Sequence, residues 1–220
     1  MEKEKMFHYK VNCRVKFDKK ELDYHISTAR EYLNGLFGKS TKCCSVEVFN
    51  HNEFPHSDCS GAYHHSCNKI CIYYSEDHDS FFSLLLHEMT HNKLHDILGN
   101  PPRWLDEGLA QYAVFKNGKV IPGKIKMNSL ETILNSAIKD ELMPLDYLIN
   151  GDSFNCNRSL AYAESWSFIH FLINTYRFNK YFKRFKDTKR EFFNEDEIKN
   201  LEPRWIAYLD LITTSQEACL

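Results

Sequence analysis

Residues 84–112 read LLLHEMTHNKLHDILGNPPRWLDEGLAQY, and the rest of the chain is organised around them. Asp79 or Ser80 can cap the start of a helix here, Gly99 can sit just past its end, and Pro101-Pro102 forbids continuation. Between these signals Phe81, Leu84, Leu85, Leu94 and Leu98 recur at helical spacings. Positions i and i+4 of a helix share a face one turn apart, so His87 and His91 present two imidazoles to one point. Glu88 lies on the neighbouring strip, within reach of a water held at that point without being a ligand itself. His87, Glu88 and His91 thus spell H-E-x-x-H, the pattern of a zinc hydrolase.

A catalytic zinc takes three protein ligands and keeps one position open. Glu107, in W-L-D-E-G-L-A, supplies the third. The two prolines turn the chain, and a second helix is expected from about Arg103 to Lys116, closing at Asn117-Gly118. Such a helical hairpin brings Glu107 opposite the two histidines, and small Gly108 and Ala110 allow close helix approach. His, His and Glu form a known set for activating water. The competing reading, an H-E-x-x-H on a solvated helix face, fits poorly with an apolar context in which an unpaired glutamate is costly to bury. His95, four residues after His91, lacks the glycine that lets a third histidine turn back to the metal, so it reads as a helix-face or supporting residue. Asn92 and Asp106 are candidates for orienting the ligands. One Zn2+ per chain is expected.

The totals are those of an ordinary soluble globule. The 220 residues fit one domain, 1–220, with a sheet-containing part (1–78) and a helical part (79–220) that carries the zinc site. A net charge of -2 gives no case for nucleic acid or an anionic membrane as partner. No apolar run is long enough for a membrane span, and MEKEKMFHYK lacks the apolar centre of a signal peptide, so a cytoplasmic location is expected. Eight cysteines in such a chain read as reduced thiols rather than disulfides. Cys59, Cys67 and Cys71, with His64 and His65, do not have the spacing of a structural zinc knuckle, so a second metal there is the lesser reading and Cys71 is expected to face a core from a strand.

Along the chain, residues 7–17 alternate as a half-buried strand. Residues 18–37 form an amphipathic helix with Leu22, Ile26, Ala29, Leu33 and Leu36 on one stripe, ended by Gly38. Ser45–Phe49, Gly61–His65 and Lys69–Tyr74 read as strands, the last two as a hairpin, with a loop over 50–60. After the second helix of the site come an extended piece at Val120–Lys126, a helix at Ser129–Lys139, a turn at Asp146–Ile149 and a loop over 150–157. Helices then follow at Ser159–Tyr176, near Lys180–Lys186 and at Asp196–Leu211. Strands first and helices after make an α+β protein, a small N-terminal mixed sheet followed by a mainly helical half.

The blocks LLLHEMTH, PRWLDEGLAQY and AYAESWSFIHFL resemble the gluzincin zinc metallopeptidases, and in particular the peptidase MA-like family, similar to the catalytic domain of alanyl-type aminopeptidases and, more distantly, to thermolysin. The resemblance implies a zincin-type catalytic domain, with His87, His91 and Glu107 on zinc and Glu88 as general base. The aminopeptidases also carry a tyrosine in Y-E-x-G that supports the oxyanion; Tyr162, in Tyr-Ala-Glu-Ser, stands in the matching place. Their G-A-M-E-N strand supplies a glutamate for the substrate amine. Here the nearest string is Gly61-Ala62-Tyr63-His64-His65, with no carboxylate there, which points away from a general aminopeptidase. The implied function is hydrolysis of a peptide or protein substrate. The alternative is a peptide-binding module that keeps the fold without hydrolysis; a purely structural zinc would need a fourth ligand, and none is evident.

Overall fold

A computed structural model describes residues 10–13, 18–39, 44–55, 60–116, 141–175, 178–188 and 192–217. The extended piece at 120–126, the helix at 129–139, Asn117-Gly118, Cys59 and the outer parts of the first strand lie outside these residues. The chain divides into two compact units, Met1–Asn100 with Ala113–Pro122, and Pro101–Tyr112 with Gly123–Leu220. The architecture is α+β, mostly helical with one small mixed sheet.

In the first unit, β1 (Lys10–Cys13), β2 (Ser45–Phe49), β3 (Gly61–His64) and β4 (Lys69–Tyr73) form a sheet in the order β1-β2-β4-β3. β1, β2 and β4 run parallel, and β3 runs antiparallel to β4 at the edge. The register sets Val46 beside Ile70 and Val48 beside Ile72. All four are fully buried and face one core, each contributing about 1.5–3 kcal/mol of apolar burial. Glu47 and Cys71 pair on the other face. Cys71 is buried there, as expected, and burial pushes its thiol pKa up. The hairpin between β3 and β4 turns at Asn68, which takes a left-handed conformation (φ 50°) that Asn tolerates. Its Oδ1 accepts from Tyr63 Oη at 2.9 Å and from Asn92 Nδ2 at 2.7 Å.

Helix α1 (Lys19–Phe37) is capped by Asp18, whose carboxylate accepts from the Lys20 amide. Leu22, Ile26, Ala29 and Leu33 face the core as the periodicity predicts. Leu36 does not; it is among the exposed large apolar side chains, and the neighbouring Phe37 packs against the core instead. Helix α2 (His78–Leu98) begins earlier than the caps foreseen. Asp77 is the N-cap, accepting from the Asp79 amide and, through its other oxygen, from the Ser80 hydroxyl. Asp79 and Ser80 therefore lie inside the first turn. Gly99, at φ 84°, closes the helix with its amide on the His95 carbonyl. α2 is buried nearly all round from Leu85 to Leu94 rather than along one stripe.

Helix α3 (Arg103–Lys116) has the predicted bounds. Its residues through Tyr112 belong to the second unit and Ala113 onward to the first, where Ala113 and Val114 join the core and the Ala113 carbonyl accepts from Tyr32 Oη at 3.0 Å.

The second unit continues with α4 (Leu145–Asn150), α5 (Ser153–Cys156), α6 (Arg158–Thr175), α7 (Phe178–Thr188) and α8 (Glu195–Glu217). The expected loop at 150–157 contains the short helix α5, and the loop at 50–60 holds a 3-10 turn at His51–Glu53. Trp104 of α3 lies against Phe168 of α6 and against Phe192 and Phe193, with ring centroids 5.4–6.0 Å apart. Trp205 of α8 packs edge-on to Phe168 and donates Nε1–H to Ser167 Oγ at 3.1 Å. These contacts tie α3, α6 and α8 around one aromatic core. No described helix is long and apolar enough to cross a membrane.

Glu164 of α6 is fully buried and accepts the Met143 amide at 2.8 Å. Burial pushes its pKa up to about 8, so the group is a neutral acid at pH 7. The folded chain then holds a proton between about pH 4.5 and 8 that the unfolded chain releases. The stability this contributes is whole below pH 4.5 and is lost as pH rises through 8. Glu164→Gln keeps the acceptor for Met143 without the proton. Wild type is expected to lose stability relative to this variant between pH 5 and 8 in denaturant melts; parallel profiles would count against a neutral Glu164.

Candidate metal centre

The candidate side chains fall into two groups, one in each unit. In the first unit α2 carries His87, Glu88 and His91 within one turn. The helix is built to be buried: Leu85, Leu86 and Met89 surround the motif and are almost fully hidden. His87 Nε2 and His91 Nε2 stand 3.1 Å apart, with the rings steeply tilted at 81°. Two nitrogens at 2.0–2.1 Å from a tetrahedral ion are separated by about 3.3 Å, so the pair fits two zinc ligands. Without an ion, the same distance is that of an N–H···N hydrogen bond between one donor and one acceptor tautomer.

Glu88 is 5% exposed. Its carboxylate lies against Gly61, the first residue of the edge strand β3, where a Cβ would stand 2.9 Å from Glu88 Oε1. Only a residue with no side chain leaves room for the carboxylate beside the strand backbone. The sequence names Gly61 as the start of a strand but gives no sign that it backs onto Glu88, since that contact depends on how the sheet and α2 pack.

Asn92 is buried and donates to Asn68, so it fastens α2 to the β-hairpin. His95 sits further along α2 with its ring 4.5 Å from that of His65 and 5.4 Å from that of Tyr63, again toward the hairpin. These contacts attach the motif-bearing helix to the edge of the sheet.

In the second unit, Glu107 of α3 and Tyr162 of α6 meet. Tyr162 Oη donates to Glu107 Oε1 at 2.9 Å. Burial, with the Glu107 charge beside it, pushes the Tyr162 pKa up to about 12, so the phenol keeps its proton. The ring is held by Phe154 edge-on at 5.4 Å and by the Arg158 guanidinium 5.8 Å from its centroid. Arg103 in turn covers Phe154 at 4.5 Å. Arg158 and Phe154 carry no motif, and the sequence gives no signal for them. Asp106, beside Glu107, is half-buried in the first turn of α3.

Gly108 follows Glu107 at a close helix approach. The sequence suggests that Gly108 eases the approach of α3 to α2, but the close approach is to α6, where a Cβ at Gly108 would stand 2.6 Å from the Ser165 carbonyl oxygen and 2.7 Å from Ile169. The absent side chain lets the two helices come near enough for the Glu107–Tyr162 bond.

Comparison with known families decides the relationship. Residues 45–204 match the family described as the Peptidase MA superfamily, a span that runs from β2 into α8 and contains both groups. The chain belongs to the peptidase MA superfamily. No curated protein and no solved structure matches it. In this peptidase MA chain the histidine pair and the glutamate–tyrosine pair are each assembled by their own unit, and each offers donors of the kind a peptidase metal requires.

Gly108→Ala drives a methyl into the α6 backbone and is expected to cost about 1–3 kcal/mol. A chemical-denaturation midpoint unchanged from wild type would contradict the tight α3–α6 contact.

Proposed function

We propose that this chain is a zinc-dependent peptidase of the gluzincin type, a thermolysin-like catalytic domain related to that of the alanyl-type aminopeptidases, acting as one domain on a peptide or protein substrate. In this proposal His87, His91 and Glu107 hold one zinc ion. The observation that carries it is the His87–His91 nitrogen separation beside a buried Glu88, in a chain of the peptidase MA superfamily. A bound zinc would act as a Lewis acid and bring the pKa of a coordinated water toward ~7.

The protein groups then have defined tasks. Glu88 accepts the proton of the attacking water and returns it to the leaving nitrogen. Its seat against Gly61 supports this role, because a carboxylate confined by backbone on one side has few other directions to reach. Tyr162 has a proton to give throughout the neutral range, which suits a donor to the oxyanion of a tetrahedral intermediate. To serve there it exchanges its bond to Glu107 for one to the substrate. β3 lies at the edge of the sheet, where an extended peptide can add as a further strand. The string Gly61-Ala62-Tyr63-His64 offers no carboxylate for a free amine, which favours an endopeptidase or a peptidase of narrow specificity.

The test is zinc content together with cleavage of a mixed-sequence peptide library. Wild type is expected to hold zinc and cleave, and Glu88→Gln to hold zinc and not cleave. Zinc in both with cleavage by neither would support the non-hydrolytic peptide-binding alternative. Absence of zinc in both would overturn the metal assignment. Glu107→Ala is expected to lose most of its zinc, and full occupancy would remove Glu107 from the ligand set. Tyr162→Phe is expected to retain zinc and lower kcat by roughly 10²-fold; turnover equal to wild type would leave Tyr162 only the role of holding Glu107.

A further inference from the structure

Away from the H-E-x-x-H motif, the first unit holds a second group of metal-type donors. Glu21 and His25 lie one turn apart on α1, and His78 is the first residue of α2. One ligand atom from each, a carboxylate oxygen and two ring nitrogens, lie within 4.8 Å of one another. Glu21 Oε1 is 3.6 Å from His25 Nε2 and is paired with His78 Nδ1 at close range. We infer that Glu21, His25 and His78 form a second, exchangeable site for a divalent transition-metal ion, separate from the proposed catalytic centre.

The donor chemistry selects the ion. Two imidazoles and one carboxylate suit zinc or copper, whereas magnesium and calcium prefer all-oxygen sets. The group is also held in place before any ion arrives. The His25 ring is packed among Tyr24, Phe81 and Phe82, with centroids 5.9, 6.1 and 5.4 Å away, and its side chain is 13% exposed. Glu21 and His78 are progressively more open, at 32% and 56%. One ligand is therefore fixed in the core edge, and the remaining coordination positions face solvent, where water completes the shell.

One physical effect opposes the site. His78 opens α2, where the helix dipole disfavours a cation. The Asp77 cap and Asp79 place two carboxylates in that same turn and offset the dipole. An ion bound here would join α1 to the start of the helix that carries His87 and His91.

Zinc is the probe, added by equilibrium dialysis to the metal-stripped chain at pH 7.5, above the ordinary imidazole pKa of ~6.5. Wild type is expected to bind two ions, and His91→Ala and His78→Ala one each. Losing a direct ligand should weaken the second site by more than the roughly 10–100-fold that a lost supporting contact costs. Glu21→Gln, which leaves both histidines in place, is expected to have the same effect as His78→Ala. Wild-type stoichiometry and affinity in both His78→Ala and Glu21→Gln would overturn the inference and leave the three residues as a surface ion pair. A single ion released only by His91→Ala would overturn it while sparing the catalytic proposal. A single ion released only by His78→Ala would support it and remove the metal from the catalytic one.

Discussion

The main physical constraint on this molecule is the burial of polar side chains inside an apolar helix. α2 hides Glu88, His91, Asn92 and Lys93 among leucines, and each would be costly there without a partner. The fold answers each differently. Asn92 bonds to Asn68 of the hairpin. Lys93 reaches Asn34 of α1 at 2.8 Å, and burial still lowers its pKa to about 8. His91 faces His87, and Glu88 occupies the space that Gly61 leaves. A helix buried only for stability would carry none of these groups. Their concentration in a few turns is what the proposed site would require.

The second unit solves a related problem with carboxylates. Glu107 and Glu164 both lie at or near α6, and their environments differ. Glu107 receives a hydrogen bond from a phenol that keeps its proton. Glu164 receives one backbone amide and is otherwise desolvated, so it stays neutral near pH 7 and acts as a fastener for Met143. Gly108 belongs to the same design, because the Glu107–Tyr162 bond requires the helix approach it permits.

The cluster at Glu21, His25 and His78 shows how the packing of one helix on another can gather ligands that no sequence pattern announces. An i, i+4 pair on α1 is visible in the sequence, but His78 lies far along the chain. It joins the pair because the start of α2 packs beside α1, with Phe81 and Phe82 filling the space beneath His25.

By itself the sequence determined what depends on local periodicity and local chemistry. The i, i+4 spacing of His87 and His91 holds on any α-helix, Pro101-Pro102 and Gly99 bound α2, β2 and α3 have the bounds their patterns predict, with Glu107 placed on α3, and α1 starts one residue later than expected, with Asp18 as its cap. The strands-then-helices order gave the α+β class. The tertiary structure decided everything that depends on register and on which helix faces which. It set the parallel order β1-β2-β4 with β3 at the edge, Gly61 against Glu88, Tyr162 on Glu107, and Gly108 against α6. It also moved the α2 cap to Asp77 and left Leu36 exposed. Hydrogen-bond ladders and close helix contacts join residues distant in the chain. Their energies depend on the shape of both partners, and one strand's or one helix's residues specify only half of that shape.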